Sequence, residues 1–393
     1  MSNPTALTQN RTRLDSIDFL RGLVMIIMAL DHTRDFFSST AFEIDPTDLT
    51  RTSSALFLTR WITHFCAPVF VFLAGTAAYL AGSRGKSKAA LSQFLFTRGV
   101  WLIVLELTVI RCLGWYWNFN YAHSRGQVIW AIGWSLIALA GLIHLPIRVI
   151  AIFGVVMIAG HNLLDGIKLE SVGAWRWLWA ILHVPAELEW AKGKIFFTQY
   201  PLIPWIGVMA VGYAFGSIFR REQAERNKLF LRLGLALMAA FIVIRGINVY
   251  GNPQPWAVQK NWWFSIFSFL NCEKYPPSLL YLLMTLGPAI ALLPLLDRAW
   301  GKLGQAIITF GRVPLFYYLL HLPLLRVIVV IVAIAKYGSD IFNLPQDQPP
   351  PGWGFHLPVV YLIWLGAILL LYPLCRWFAG VKQRSRKAWL SYL

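Results

Sequence analysis

Four ionisable residues stand in the first apolar stretch of the chain, Ser16-Ile-Asp-Phe-Leu-Arg-Gly-Leu-Val-Met-Ile-Ile-Met-Ala-Leu-Asp-His32. Asp18 and Arg21 lie near its start, where they can form an i, i+3 ion pair or part of an anion clamp. Asp31 and His32 form its end. Arg21 and His32 are eleven residues apart, so in a helix they share one face to within about 20° and are separated by roughly 16 Å along the axis. One face would therefore carry a permanent cation at one depth and an imidazole, a candidate general base, at another.

The composition indicates that this helix lies in a membrane. Hydrophobic residues make up 57% of the chain and charged residues only 13%, which is outside the usual range of soluble proteins. The net charge of +17 would suit nucleic acid, but the basic residues form short clusters between apolar stretches, as topology signals do. We therefore predict a multi-pass protein in the lipid bilayer and no nucleic-acid partner.

Ten stretches are apolar and long enough to cross about 30 Å of hydrocarbon. They are residues 17–37, 56–82, 91–113, 127–144, 147–164, 196–219, 229–249, 276–296, 313–335 and 357–379. Lysine and arginine collect in the even-numbered connections and at both ends of the chain, which predicts cytoplasmic termini. The expected fold is an all-α polytopic protein with about ten transmembrane helices in the cytoplasmic (inner) membrane. Residues 1–393 would form one domain, with a polar N-terminal segment at 1–16 and a basic cytoplasmic tail at 380–393.

The outer end of the first span carries further charge, since Arg34 follows Asp31 and His32. A carboxylate beside an imidazole raises its basicity and holds it in place, so Asp31 could tune His32 as a base. Arg34 could bind an acceptor or a developing negative charge. A structural alternative is that His32 only caps a helix at the water interface.

The second span adds Arg60 and His64, which lie four residues apart on one helix face. Because this span runs antiparallel to the first, His64 should reach about the depth of His32, and the two imidazoles would share one cavity. The alternative is that Arg60 extends towards water while His64 forms a hydrogen bond with a neighbouring helix.

The third span carries Arg98, Glu106 and Arg111 in order from its cytoplasmic to its outer end. A carboxylate in the membrane needs a partner, and Arg60 or Arg111 lies at a suitable depth. The resulting network could be purely structural or could shape a cavity. His321, in the ninth span, is a later candidate for the same cavity.

The sequence predicts no metal site and no catalytic motif of the soluble type. It contains no HExxH motif, glycine-rich phosphate loop or serine nucleophile elbow. The positions of His161 and His183, at a span end and in a loop, indicate no role. Four cysteines are present without metal-ligand spacing. Cys112 and Cys272 fall on the outer side of the predicted topology, so a disulfide between them stays open for an oxidising compartment.

Several motifs resemble those of transmembrane acyltransferases. The spacing of Arg21 and His32 is similar to that in the type-three membrane acyltransferases, which acylate cell-envelope glycans. The segment Ser16-Ile-Asp-Phe-Leu-Arg-Gly22, followed by Ala67-Pro-Val-Phe-Val-Phe-Leu-Ala-Gly75, more closely resembles heparan-α-glucosaminide N-acetyltransferase and its bacterial relatives. Three later segments are similar to the same group, namely residues 200–207, 274–278 and 311–321.

The resemblance implies a donor site and a base. A cytosolic acyl-CoA would dock near Arg21 and Arg98, with Asp18 beside them, and its thioester would reach an outer cavity. The roughly 16 Å between Arg21 and His32 is comparable with an extended pantetheine arm. Heparan-α-glucosaminide N-acetyltransferase, a lysosomal enzyme, has its catalytic histidine in the loop after the first span. The corresponding loop of this chain, at 33–55, contains no histidine. His32 is therefore the candidate base.

We thus expect an acyltransferase that moves an acyl group, with acetyl the expected one, from cytosolic acyl-CoA to a hydroxyl or amine of a glycan or small-molecule acceptor at the outer face. His32 and Asp31 would be catalytic. The residues expected to bind the acceptor are Arg34, Arg60, His64, Glu106 and His321. The alternative is a proton-coupled or anion transporter that uses the same charged residues. The sequence leaves open a homodimer, and also the choice between direct transfer and an acyl-histidine intermediate.

Overall fold

The computed structural model describes residues 4–41, 43–298, 300–343, 349–385 and 387–392. Its α-helices, numbered along the chain, are α1 (Pro4–Phe37), α2 (Ser54–Thr63), α3 (Cys66–Gly82), α4 (Lys88–Leu105), α5 (Val128–Leu142), α6 (Ile147–Gly160), α7 (Arg176–Leu182), α8 (Leu202–Phe215), α9 (Gln223–Ile247), α10 (Trp262–Leu270), α11 (Leu279–Leu296), α12 (Lys302–Arg312), α13 (Pro314–Tyr337) and α14 (Leu357–Arg384). Three short strands accompany them: β1 (His123–Arg125), β2 (Glu187–Ala191) and β3 (Lys194–Phe197).

Within the described ranges, eight helical segments are long and apolar enough to cross a membrane. Each coincides with one of the ten predicted stretches. The other two stretches correspond to α1, which carries charge at both ends of its apolar part, and to α5, which has only 15 residues. The prediction of an all-α polytopic membrane protein is confirmed. The predicted polar segment at the N-terminus is helical from Pro4 and continuous with α1, and α14 extends into the basic tail as far as Arg384.

Contacts between residues divide the chain into two compact units, each assembled from separate stretches of sequence. Unit one comprises Met1–Ile17, Ala67–Thr108 and Asn120–Ala299. Unit two comprises Asp18–Cys66, Val109–Phe119 and Trp300–Leu393. The apolar part of α1 therefore packs in the same unit as α13 and α14, from which it is far removed in sequence.

In unit one, long helices pack in pairs, α4 with α5, α6 with α8 and α9 with α11. Where α4 meets α5, a Cβ on Gly99 would stand 2.5 Å from the carbonyl oxygen of Gly133. Glycine is required there because the two backbones are in direct contact, a common device in membrane helix pairs. The strands form a small sheet in the order β1-β3-β2, with β1 parallel and β2 antiparallel to β3. Its β2–β3 hairpin lies in the connection between α7 and α8.

Unit two is organised around the apolar part of α1, which crosses α12 in close contact. A Cβ on Gly311 of α12 would stand 1.8 Å from the carbonyl oxygen of Asp18, and one on Gly22 of α1 would stand 1.9 Å from that of Ile307. Both positions are therefore restricted to glycine by the approach of the backbones. This crossing fixes the depth of Arg21 relative to α12.

The other end of α1 is held by α14 and by the segment that precedes it. The indole N–H of Trp364 donates to the carbonyl of Ile26 at 2.8 Å, and that of Trp353 donates to the carbonyl of Phe36 at 2.9 Å. Trp353 also belongs to a buried apolar cluster, whose other members are Phe37, Leu325, Ala333, Val360 and Ala367. Because α1 is anchored along its length, the polar side chains it carries are held in defined positions.

The third predicted span changes its winding halfway along. The α-helical part ends at Leu105, and Glu106–Trp115 forms a π-helix. A backbone bond of 3.0 Å from Tyr116 to the carbonyl of Arg111 continues the i to i+5 pattern. π-helical segments are rare and frequently occur at functional sites. The winding changes which side chains share a face, so an α-helical period does not predict their directions.

All four cysteines lie in the described part of the chain as buried thiols, and none forms a disulfide. The disulfide between Cys112 and Cys272, which the sequence left open, is therefore not formed in the structure. Cys112 belongs to unit two and Cys272 to unit one. Cys112 accepts a weak hydrogen bond of 3.6 Å from the guanidinium of Arg111. Burial raises the pKa of the Cys272 thiol to about 12, despite the nearby guanidinium of Arg245.

Candidate active site

Two imidazoles meet in unit two. His32 lies on α1 and His321 on α13, 289 residues apart in sequence, yet Nδ1 of His32 is 2.7 Å from Nε2 of His321. The rings are nearly parallel, with centroids 5.0 Å apart. His321 is only 1% exposed, whereas His32 is half-buried. The pair thus has one enclosed member and one member that a reactant can approach.

The surroundings of His321 determine where the protons of this pair reside. Nδ1 of His321 lies 2.8 Å from the carbonyl oxygen of Tyr318 and 3.3 Å from that of Tyr317. A carbonyl oxygen only accepts, so Nδ1 of His321 carries the proton and Nε2 of the neutral ring presents a lone pair. His32 must then donate through Nδ1–H, which places its own basic lone pair on Nε2. In this tautomer, Nε2 is the nitrogen of His32 that can accept a proton.

Aromatic side chains hold both rings in place. Trp115, the last residue of the π-helix, makes an edge contact with His32 at 5.2 Å between centroids, and Tyr317 stacks on His321 at 5.4 Å. Arg326 of α13 donates to the carbonyl of Trp115 at 2.6 Å. The indole Nε1 of Trp115 is buried and finds no hydrogen-bond acceptor among the described residues. A donor in this condition beside the imidazole is suited to bind an oxygen atom of a reactant.

Asp31 lies at the centre of a buried ion network at the same end of α1. One carboxylate oxygen accepts from Nη1 of Arg60 at 2.6 Å, and the other is 3.0 Å from Nη2 of Arg34. Arg34 also binds Asp35 at 2.6 Å and is 4% exposed. Its Nη1 is buried without a hydrogen-bond partner in the described ranges. Asp31 thus holds two guanidinium groups, and its predicted role in tuning His32 stays a prediction.

Arg21, eleven residues before His32 on α1, forms a second polar cluster. Its Nη1 donates to Asp18 at 3.0 Å and to the carbonyl of Gly311 at 3.1 Å. The i, i+3 ion pair that the sequence allows is therefore formed. Arg312 approaches the second carboxylate oxygen of Asp18 at 3.8 Å. Two partly exposed guanidinium groups thus lie beside the carboxylate of Asp18.

Glu106 begins the π-helix, belongs to unit one and is 1% exposed. Its carboxylate accepts hydrogen bonds from the backbone N–H groups of Ile129 and Trp130, at the start of α5. The N-terminus of a helix carries partial positive charge. This backbone supplies the positive partner that we predicted would be Arg60 or Arg111. Arg60 binds the carboxylate of Asp31, and Arg111 binds the loop after the π-helix.

Two further residues that the sequence predicted for the site, Arg98 and His64, lie on α4 and directly after α2. Arg98 lies on α4 in unit one, with its guanidinium 5.9 Å from the ring centroid of Phe94. His64 directly follows α2 and is 3% exposed. The sequence predicted that His64 shares a cavity with His32. The imidazole that forms a hydrogen bond with His32 is that of His321.

The sequence analysis missed Trp115 and Arg312. Trp115 lies two residues beyond the predicted third span at 91–113, so the apolar pattern gave no signal of its contact with His32. Arg312 directly follows Gly311 in one of the segments that carried the family resemblance, and that adjacency was the available signal.

Residues 13–250 match the family model described as heparan-alpha-glucosaminide N-acetyltransferase, catalytic. The match covers more than half of the 393 residues. The chain belongs to this family. The predicted activity is thereby confirmed at the level of a membrane acetyltransferase family. No curated protein matches the chain.

The match contains most residues of the site in this heparan-alpha-glucosaminide N-acetyltransferase family member. Arg21, His32, Arg60 and Trp115 lie within it, whereas His321 lies outside it. The fold nevertheless places His321 on His32, so the geometry of unit two extends the site beyond the matched residues.

Proposed function

We propose that this heparan-alpha-glucosaminide N-acetyltransferase family member transfers an acetyl group from cytosolic acetyl-CoA to a glycan or related acceptor on the outer face of the cytoplasmic membrane. The acceptor atom is a hydroxyl oxygen or an amine nitrogen. The observation that carries the proposal is the 2.7 Å hydrogen bond between His32 and His321. Acetyl transfer to such an atom needs a base that a reactant can approach, and His32 is half-buried with its Nδ1 directed at His321.

In the proposed step, Nε2 of His32 removes the proton from the acceptor as the acceptor atom attacks the thioester carbonyl. A C–O or C–N bond forms and the C–S bond breaks. The proton on His32 then passes to the departing CoA thiolate. While His32 is positively charged, its Nδ1–H continues to donate to neutral His321, which keeps the ring oriented as the third member of a catalytic triad does.

Two buried N–H donors would bind the reactants during this step. The indole ring of Trp115 contacts the ring that acts as base, and we assign its buried N–H to the thioester oxygen, which becomes an oxyanion as the acceptor attacks. Nη1 of Arg34 is the second donor, and we assign it to a polar group of the acceptor. Asp31 and Arg60 would hold Arg34 in place through the ion network.

The donor would be bound at the other end of the same helix face. Arg21 and Arg312 both lie beside Asp18, so the phosphates of CoA would find two guanidinium groups there. Roughly 16 Å of helix separates Arg21 from His32, and a pantetheine arm is of comparable length. Arg98 stays a predicted donor-binding residue. His64 and Glu106 stay predicted acceptor-site residues.

The test uses purified protein in liposomes with radiolabelled acetyl-CoA on one side and a panel of amino sugars and neutral sugars on the other. We expect label to reach an acceptor only when donor and acceptor are on opposite sides. His32→Ala should lower the rate by about 10²-fold to 10⁴-fold. His356→Ala is the matched control because His356 is exposed and precedes α14.

Equal rates for the wild type and His32→Ala would remove His32 as the base. Transfer confined to one side of the membrane would overturn the proposed direction. Absence of CoA binding, combined with movement of an acceptor across the liposome, would favour a transporter. Acid quench of a single turnover without acceptor distinguishes direct transfer from an acetyl-histidine intermediate, because only the latter leaves labelled protein.

A further inference from the structure

A second group of histidines lies in unit one. His161 follows α6 directly, Asp165 comes four residues later, and His183 follows α7. One donor atom from each of these three side chains lies within 4.8 Å of the others. Nε2 of His183 is 3.2 Å from Oδ1 of Asp165, and the two imidazoles are 5.7 Å apart between centroids.

Both imidazoles are almost completely buried, His161 at 2% and His183 at 1% exposure. The backbone of Pro277 approaches His161, but neither ring nitrogen of His161 reaches hydrogen-bond geometry with any residue that the structure describes. Nδ1 of His183 is likewise without such a partner in the described ranges. A buried polar nitrogen left unsatisfied costs about 1 to 3 kcal/mol. The pair with Asp165 satisfies Nε2 of His183 and leaves these three ring nitrogens unexplained.

Hydrogen bonds from Asn162 orient the carboxylate of Asp165, as hydrogen bonds to the ligands do in metal sites. Nδ2 of Asn162 donates to Oδ2 of Asp165 at 2.9 Å, and Oδ1 of Asn162 accepts from the backbone N–H of Leu279 at 2.9 Å. Asn162 therefore ties the carboxylate to the first turn of α11. In metal sites, hydrogen-bond partners of this kind fix the direction of ligating carboxylates and imidazoles. The carboxylate is the most exposed of the three side chains, at 25%, so an ion can enter from water.

We propose that His161, Asp165 and His183 bind a Zn²⁺ ion that ties the end of α6 to the end of α7. Two imidazole nitrogens and one carboxylate oxygen are ligands that Zn²⁺ prefers, and water would fill the fourth position. Ligand atoms around tetrahedral zinc are roughly 3.3 Å apart when each lies about 2.0 to 2.2 Å from the ion. Side-chain rotations would have to close the remaining gap from the 4.8 Å within which the three donor atoms lie. The ion would satisfy a buried nitrogen of each imidazole.

The test is a Co²⁺ titration of the full chain in detergent, purified with a tag that contains no histidine and stripped with a chelator. We expect one equivalent of Co²⁺ per chain, with the visible absorption bands of a tetrahedral site, and its displacement by Zn²⁺, which binds such ligands more tightly. Absence of a stoichiometric tetrahedral Co²⁺ signal in the wild type would overturn the proposal without any variant.

Variants then assign the ligands. His161→Gln and His183→Gln should weaken Co²⁺ binding by more than the roughly 10-fold to 100-fold expected when an outer contact is lost, and Asn162→Ala should fall in that smaller range. Asp165→Asn keeps the shape of the side chain and covers the case in which a histidine variant fails to fold. His144→Gln, at an exposed position, is the matched control. Binding in His161→Gln equal to that of this control would contradict the assignment.

Discussion

Nδ1 of His32 and Nε2 of His321 are 2.7 Å apart, and this hydrogen bond joins α1 to α13 within unit two. Since the carbonyl oxygens beside His321 fix its proton on Nδ1, the same bond fixes the tautomer of His32. The orienting partner of the proposed base is thus a neutral ring. A carboxylate in that place would bring a full negative charge into a buried pocket, and the buried histidine avoids its desolvation cost.

Replacing Trp115 by Phe should slow acetyl transfer with little change in stability. Phenylalanine keeps an aromatic contact with His32 but removes the buried N–H that we assign to the oxyanion. We expect a loss of about 10²-fold to 10³-fold in kcat, with KM for acetyl-CoA nearly unchanged. Steady-state kinetics of the variant measure both quantities. The control is Trp175→Phe, at an exposed position, and a kcat of Trp115→Phe equal to that of this control would exclude the assignment.

Asp31→Asn should destabilise the protein because it leaves the guanidinium groups of Arg34 and Arg60 with less negative charge in a buried network. Loss of one partner from a buried pair costs about 3 to 5 kcal/mol. Chemical denaturation in detergent, or a thermal shift, measures the loss. Glu43→Gln removes the charge of an exposed carboxylate and should change stability by less than about 0.5 kcal/mol. Similar stability of the two variants would show that the ion network contributes little.

Gly311→Ala and Gly366→Ala should have opposite effects although the change is the same. A Cβ at Gly311 would stand 1.8 Å from the carbonyl oxygen of Asp18, whereas a Cβ at Gly366 of α14 meets nothing within 4 Å. We expect Gly311→Ala to cost at least about 1 to 3 kcal/mol by overpacking. Gly366→Ala should gain about 0.5 to 1 kcal/mol, since alanine is favoured within helices. Thermal unfolding of both proteins provides the comparison, and equal melting temperatures would contradict the close crossing of α1 and α12.

Cys272 should resist thiol reagents in the folded protein at pH 8. With its pKa raised to about 12 by burial, only about 10⁻⁴ of the thiol is ionised at that pH, and the thiolate is the reactive form. Ionisation, and with it the intrinsic reactivity, should increase as the pH rises towards 12. Mass spectrometry after maleimide treatment measures labelling, with the Cys272→Ser variant to assign the site. Denatured protein should label at all four cysteines without prior reduction, whereas a requirement for reductant would reveal a disulfide.

The sequence was sufficient to predict the features that depend on local spacing. The apolar stretches define the polytopic helical fold, and the eleven-residue separation of Arg21 and His32 places both on one face of α1. The ion pair of Asp18 and Arg21 likewise needs only neighbouring turns of one helix. In each case the rise and rotation of a regular helix determine the result.

Features that depend on packing between distant elements were beyond the sequence. His321 is 289 residues from His32, so no spacing identifies it as the partner. The carboxylate of Glu106 accepts hydrogen bonds from backbone N–H groups, which every residue type other than proline can supply. Trp115 reaches His32 from a π-helix that an α-helical period does not foresee. The cluster of His161, Asp165 and His183 similarly appears only when α6 and α7 end near each other.

The most direct test of the central claim is a double-mutant cycle on single-turnover acetyl transfer with His32→Ala, His321→Ala and the double variant. If His321 acts only by orienting His32, each single change should slow transfer by about 10²-fold to 10⁴-fold, and the double variant should be no slower than His32→Ala. Losses that multiply in the double variant, or a His321→Ala protein as active as the wild type, would contradict the account.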